Sequence, residues 1–178
     1  LISHEEIQME NKTDDGFIII KPERVPFVSY PYEWSFSQLK DAALITIKIQ
    51  KIAKKYNMML KDASAYNVQF KNSKPIFVDT LSFEKYIGGE PWKGYKQFIQ
   101  HFYAPLALMS NKDIRLGQLS KIFIDGIPLD LTSKLLPTRT KTNFSLLAHI
   151  HAHAKAQKHY EGKKIDVKKR KISSRSLE

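Results

Sequence analysis

The sequence predicts an α+β chain in which helices predominate. Three observations carry this. An apolar stripe with helical spacing runs from Phe36 to about Tyr56. Short β-rich runs precede and follow it. Four further helix-like stretches, punctuated by Pro and Gly, fill the remainder.

Residues 1–15 are polar and acidic with no clear period. In "GFIIIKPERVPFVSYP" (16–31) the Ile and Val content suits two strands around the turn-like Lys21-Pro22-Glu23-Arg24. The period then changes. Ser35 or Ser37 can cap a helix by accepting N–H groups that a first turn leaves open. Leu39, Ala42, Ala43, Ile49, Ile52, Ala53 and Tyr56 follow the three- and four-residue steps of one helix face, and Asn57 is a stop. "VQF" (68–70) and "PIFVDTL" (75–81), joined by Lys71-Asn72-Ser73-Lys74, read as a hairpin with a polar turn. "PWKGYKQFIQHFYAPLALMS" is helical after Pro91, with Pro105 ending or kinking it. "DIRLGQLSKIFI" and "DLTSKLLP" are shorter helices. "TNFSLLAHIHAHAKAQKHYEG" is the last long one, capped by Thr142 or Asn143 and stopped by Gly162.

A chain of 178 residues, 42% of them hydrophobic, is long enough to bury a core. The expected division is a polar segment 1–15, one α+β domain over 16–162, and a disordered basic tail over 163–178. The net charge is +11; the tail holds seven basic and two acidic residues and so accounts for +5. A basic run of this kind is an ordinary solvated end, and nucleic acid is not expected as a partner. The absence of Cys rules out a disulfide framework and thiolate metal sites. No apolar run reaches the ~20 residues of a membrane span, and no signal-peptide pattern is present, so the expected location is cytoplasmic. A start at Leu1 rather than Met reads as a piece of a longer protein.

The chemistry concentrates in "LKDASAYNVQFKNSKPIFVDTLSFEKY" (60–86). A helix delivers the chain into a loop holding Asp62. Asn67 stands where the first hairpin strand begins, and Asp79 lies at the far end of the second. A hairpin brings its ends together, so three oxygen-bearing side chains should converge. That is the ligand type Mg²⁺ prefers beside phosphate and water.

Asp, four residues, Asn, a hairpin and Asp resembles the catalytic and metal loops of the protein-kinase-like fold. The resemblance implies a kinase-like domain that is mostly C-lobe with remnant N-lobe strands. It implies that Asp62 accepts the proton of an attacking hydroxyl, while Asn67 and Asp79 hold Mg²⁺ on the phosphates of ATP. The sequence departs from the pattern at several places. Leu60 replaces the usual His, Ser64 the usual Lys, and Thr80-Leu81 the usual Phe-Gly, and no Gly-rich loop precedes residue 16.

A second resemblance is closer in wording. "YPYEWSFSQLKDAAL", "LKDASAYNVQF", "VDTLSFEKY", "HFYAPLALM", "GIPLDLTSKLLP" and "LLAHIHAHAKAQ" are similar to the N-terminal region of a family of large nodulation-type proteins described as S-adenosylmethionine-dependent methyltransferases. This implies a downstream methyltransferase domain, with its S-adenosylmethionine site, outside this chain; no glycine-rich loop of that kind occurs here. Two functions follow. One is a non-catalytic kinase-like binding or scaffolding module that presents a small-molecule or protein substrate to the downstream domain. The other is an ATP- and Mg-dependent phosphotransferase module acting on an unidentified acceptor.

Two other features compete. His149 and His153 share a helix face while His151 points away; with a third ligand such as His101 they could bind zinc, although a polar or core-packed helix face explains them as well. The aromatics of "SYPYEW" and "PWKGYKQF" could stack bases, but core packing is their commoner use.

Overall fold

In the computed structural model, residues 1–7 and 18–160 are described. The tail 163–178 and the stop at Gly162 lie outside them, as do most of the residues between the first two strands. The architecture is mixed, small antiparallel sheets with a larger share of helix, as α+β patterning predicts. The described residues form three two-stranded sheets, β1 (His4–Ile7) with β2 (Ile19–Pro22), β3 (Met58–Leu60) with β6 (Phe83–Lys85), and the hairpin β4 (Val68–Lys71) with β5 (Lys74–Phe77).

β1 was invisible to periodicity because all four of its side chains are exposed. Its pairing rests on backbone bonds, with His4 opposite Pro22 and Ile7 opposite Ile19. Ile2, buried, donates its N–H to Phe77 O at 2.9 Å and ties this end to the hairpin. The run expected as a strand after Arg24 is not one. Pro26 has no N–H to give, and Ser29 bonds a side chain instead of a strand. The buried Gln69 accepts Ser29 N–H at 3.0 Å through Oε1 and donates to Ser29 O at 3.1 Å through Nε2.

Helix α1 (Phe36–Lys55) begins as its sequence predicts. Ser35 Oγ accepts Gln38 N–H at 3.3 Å, and Gln38 Oε1 accepts Ser35 N–H at 2.9 Å, a reciprocal capping box. Its buried face runs Leu39, Ala42, Ala43, Thr46, Ile49, Ala53. Thr46 takes the place expected for Ile52 and Tyr56, which are exposed; its hydroxyl is satisfied by Ala42 O at 2.8 Å and so is tolerated in the core. Asn57 ends the helix with φ 53°, a left-handed conformation Asn accepts readily. The hairpin turn uses the same freedom at Asn72 (φ 51°) and Ser73 (φ 61°).

The next helix does not stop at Pro105. It runs as α2 (Tyr95–Phe98), a π-helical segment (Ile99–Tyr103) and α3 (Ala104–Asn111). In the widened turn Ala104 donates to Ile99 O, five residues back. The same register would aim residue 105 at Gln100 O, but proline has no N–H. Ile127 N–H fills the vacancy at 3.0 Å. The remaining helices are α4 (Leu119–Ile122), α5 (Leu129–Leu135), α6 (Phe144–Leu146), a second π-helical segment (Leu147–Ala152) and α7 (His153–Tyr160). Asn143 Oδ1 caps α6 by accepting Leu146 N–H at 3.0 Å. One hydrophobic cluster joins α1, the hairpin and the later helices through Leu39, Val68, Phe77, Phe102, Leu108 and Ile150.

Candidate functional site

The loop after β3 is shaped by its own polar side chains. Asp62 Oδ1 accepts Ser64 N–H at 2.9 Å, and Ser64 Oγ accepts Tyr66 N–H at 3.2 Å, so the chain turns into the short helix Ala65–Asn67. The helix that starts at Tyr95 and the turn before it hold this loop. Trp92 Nε1 donates to Leu60 O at 2.6 Å, and Gln97 Oε1 accepts Ala63 N–H at 2.7 Å. Gly94 permits the approach, since a Cβ there would lie 3.0 Å from Ala63 Cβ and 3.1 Å from Leu60 O.

The three residues singled out from spacing are linked by a relay of hydrogen bonds, not by a meeting of three side chains. Asn67 Nδ2 donates to Asp62 O at 3.4 Å and to Ser82 Oγ at 3.1 Å. The Ser82 hydroxyl in turn donates to Asp79 Oδ2, and Asp79 Oδ1 accepts Leu81 N–H at 2.8 Å. The relay has a backbone cause. Val78 N–H bonds Asn67 O at 2.8 Å at the mouth of the hairpin, and Lys61 N–H bonds Ser82 O at 2.8 Å where β6 returns to β3. Asp79 lies beyond the end of β5 rather than on it. Ser82, buried, stands between Asn67 and Asp79 and was not foreseen.

Asp62 and Asn67 also face an open cleft of about 480 Å³, shared with Tyr66, Gln97, His101 and Asp125. Asp79 is not on its wall. His101 is 7% exposed. Burial pushes its pKa down; the carboxylates of Asp62 and Asp125 oppose this, as does the backbone carbonyl of Asp125 that the ring faces. Burial also raises the Tyr66 phenol, helped by Tyr32 and Asp125. Asp125 is exposed on the loop that Ile127 fastens to Gln100. Its neighbour Gly126 has φ 97°, and a Cβ there would lie 2.6 Å from Gln100 Cβ. Gln97 and His101 were legible only as one helix turn; nothing local announces Asp125 as their companion.

The histidines of the last helix do not assemble a metal site, and among the described residues no group of three or more His, Cys, Asp or Glu is placed to hold one. His149 and His153 do share a face, but what lies between them is Tyr95, whose hydroxyl is 2.5 Å from His149 Nδ1 and 3.2 Å from His153 Nε2. His101 is not with them; it lines the cleft. His151 points the other way, between Ser133 Oγ at 2.8 Å and Thr140 Oγ1 at 2.9 Å. The aromatics of "PWKGYKQF" pack together, Trp92 with Tyr95 and Phe98 at ring separations of 6.5 and 5.5 Å. No helix of the described residues is long and apolar enough to cross a membrane.

No protein-family model and no solved structure matches the chain. Over 130 residues, 73% of its length, the chain is 42% identical to Nodulation protein NoeA of Rhizobium meliloti (strain 1021). It spans about a quarter of the length of that curated relative, so the matching region there is part of a larger protein. The similarity supports a nodulation-type family for this chain.

Proposed function

We propose that this chain is a non-catalytic binding module of protein-kinase-like design within a larger, methyltransferase-like nodulation-type protein. Its domain covers 16–162, and it presents a small molecule or protein to a downstream S-adenosylmethionine-dependent domain of the same parent chain. The kinase-like part of this reading is supported by chain order: a long helix, a short strand, the Asp62 loop, a hairpin, Asp79, and a strand returning to the first. The single observation behind the non-catalytic part is the state of Asp79. Both its oxygens accept bonds from its own loop, from Leu81 N–H and the Ser82 hydroxyl. Asp79 is thus engaged within its own loop, and it does not line the cleft that Asp62 and Asn67 share.

A second reading, ATP- and Mg-dependent phosphotransfer, is favoured by one observation: Asp62 and Asn67 line the same open cleft. Asp62 would then take the proton of an incoming hydroxyl, and Asn67 and Asp79 would hold Mg²⁺ on the phosphates. The donor set does not fit that ion as it stands, because Asp79 is bonded to Ser82 away from the cleft, and among the described residues no group of three or more His, Cys, Asp or Glu is placed to hold a metal.

Thermal unfolding with millimolar Mg-ATP separates the two. The binding-module reading expects no shift in Tm, for the wild type or for Ser82→Ala. The phosphotransfer reading expects stabilisation, about 2.7 kcal/mol at a ligand concentration 100 times Kd. It also expects Ser82→Ala to enhance the effect, Asp79→Asn to remove it, and Asp62→Asn to keep binding while losing transfer.

A further inference from the structure

Helix α1 buries one face, and its other face carries a pattern that the fold does not use. Leu44, Lys48, Lys51, Ile52, Lys55 and Tyr56 succeed one another by steps of three and four residues, so they share one side of the helix. All six are exposed, Leu44 at 58%, Ile52 at 45% and Tyr56 at 75%. Ile52 and Tyr56 are the two residues that apolar spacing assigns inward.

The lysines of this side lack counter-charges. Lys48, Lys51 and Lys55 enter no ion pair among the described residues. The helix cannot supply one, because the chain holds five Lys and no acidic residue between Asp41 and Asp62. Lys51 follows Lys48 by three residues and precedes Lys55 by four, spacings at which like charges repel. Lys55 suits the negative end of the helix dipole, but Lys48 stands two turns before that end. A solvated helix face ordinarily mixes the two signs. This one has a single sign, with apolar side chains between the charges.

Such a side has two natural complements, an acidic protein that wraps a basic amphipathic helix and an anionic lipid surface. Wrapping needs a helix that is open on several sides. Helix α1 is not, since Leu39, Ala42, Thr46, Ile49 and Ala53 hold its other face in the core. It offers one side of a rod, about 18 Å long from Leu44 to Tyr56. A bilayer is approached from one side only. There the ammonium groups meet lipid phosphates while their methylene stems lie along the apolar groups. A tyrosine ring suits the headgroup level. Duplex nucleic acid would answer the lysines and leave Leu44, Ile52 and Tyr56 in water.

We infer that the exposed side of α1 docks on an anionic lipid surface, with Lys48, Lys51 and Lys55 on the headgroups and Leu44, Ile52 and Tyr56 at the boundary below them. The contact is peripheral and needs no helix to cross the bilayer; none of the described helices is long and apolar enough to do so. The inference goes beyond the binding-module reading and uses none of Asp62, Asn67 and Asp79, so either can fail without the other.

The test is co-sedimentation of the 178-residue chain with phosphatidylcholine vesicles, with or without one-third phosphatidylglycerol. The expected result is binding to the anionic vesicles alone. The tail brings its own charge of +5, so variants decide. Lys48→Gln/Lys51→Gln/Lys55→Gln should weaken binding roughly a hundredfold, about fivefold for each lysine. The charge-matched tail variant Lys168→Gln/Lys169→Gln/Lys171→Gln should weaken it less. Leu44→Ser/Tyr56→Ser keeps every charge and should weaken it roughly tenfold. The substituted positions in α1 are exposed, and an unchanged Tm verifies that each variant is folded. Tyr56→Trp should add a blue-shifted emission component, relative to the wild type, when anionic vesicles are present. No binding to anionic vesicles, a tail variant as weak as the α1 lysine variant, or full binding by Leu44→Ser/Tyr56→Ser would each overturn the inference. So would binding of a DNA duplex or of polyglutamate, lost in the α1 lysine variant, under conditions where the vesicles are not bound.

Discussion

His101 and His151 are nearly the same residue by every local measure. Each sits in a π-helical segment, at 7% and 8% exposure, and each has its pKa lowered by burial. Their surroundings differ. Thr140 donates its hydroxyl hydrogen to Pro137 O at 2.6 Å, so it can only accept from His151 Nε2–H. Nδ1 is then the acceptor for Ser133. His151 is a neutral ring with both nitrogens used and its tautomer fixed. His101 is a neutral ring that meets the backbone carbonyl of Asp125 and lines an open cleft. Burial and a shifted pKa describe both; what separates them is that two side-chain hydroxyls hold His151 while His101 stands on the wall of an open cleft.

The comparison needs a common baseline, and the largest effects supply it. Phe102, next to His101, and Ile150, next to His151, are both fully buried. Phe102→Ala should cost about 3–5 kcal/mol and Ile150→Ala about 2–5 kcal/mol in urea unfolding. A much smaller loss at either would mean that one segment is not part of the shared core, and the two histidines could not be compared.

Next come the histidines themselves. His151→Ala removes two hydrogen bonds and leaves a void, so a loss of about 2–3 kcal/mol is expected. His101→Ala should cost about 1 kcal/mol less, because its second nitrogen makes no bond to lose. Equal losses in the unliganded chain would break the distinction. Gly126→Ala sharpens it from the other side. At φ 97°, with Gln100 Cβ in the way, alanine should destabilise by roughly 1–3 kcal/mol. It should also shift the amide resonances of residues 100–101 but not those around Ser133 and Thr140.

The smallest effect is on pH dependence. Burial lowers the folded pKa of His101, His149 and His151, with His153 adding to it at His149 and Lys141 at His151. The unfolded rings titrate near the ordinary value of about 6.5. Below that value the unfolded chain therefore binds more protons than the folded one. Their contribution to stability is complete above about pH 6.5 and is lost as pH falls toward the lowered folded values. Urea midpoints measured between pH 7.5 and 5 in buffers of about that range should fall, and less steeply in His151→Ala. A slope unchanged by that substitution would remove His151 from the buried, neutral class.

The sequence made some of this plain and hid the rest for physical reasons. Helix α1, its Ser35 cap and the stop at Asn57 are written in local spacing, and so is the nearness of Asn67 and Asp79 at the mouth of the hairpin. What escaped was non-local. Asp125 lies 63 positions beyond Asp62 in the numbering, and its place depends on a carbonyl freed at Gln100. Gln69 imitating a strand for Ser29 is likewise a contact between distant residues that no periodicity records. β1 was missed because its four side chains bury nothing; Ile52 was assigned inward because it follows Ile49 by one three-residue step, although it is exposed, and Thr46 was passed over because its hydroxyl looks polar until it is seen to be satisfied by Ala42 O. Ser82 looked like a turn residue, although it is the link between Asn67 and Asp79.

The π-helical turn at Ile99–Tyr103 has a consequence for chain length. A helix advances about 100° per residue, so deleting one residue from the middle of α1 would rotate half of its buried face into solvent. The widened turn already holds one residue more than an α-helix needs. Deleting Gln100 would let it close to ordinary α pitch while α2 and α3 keep their own internal bonding. It would, however, carry away the carbonyl that anchors residues 125–127 and turn the histidine beside it off the cleft. In this helix a single-residue deletion is the change that parts the two properties, sparing most of the fold and erasing the pocket.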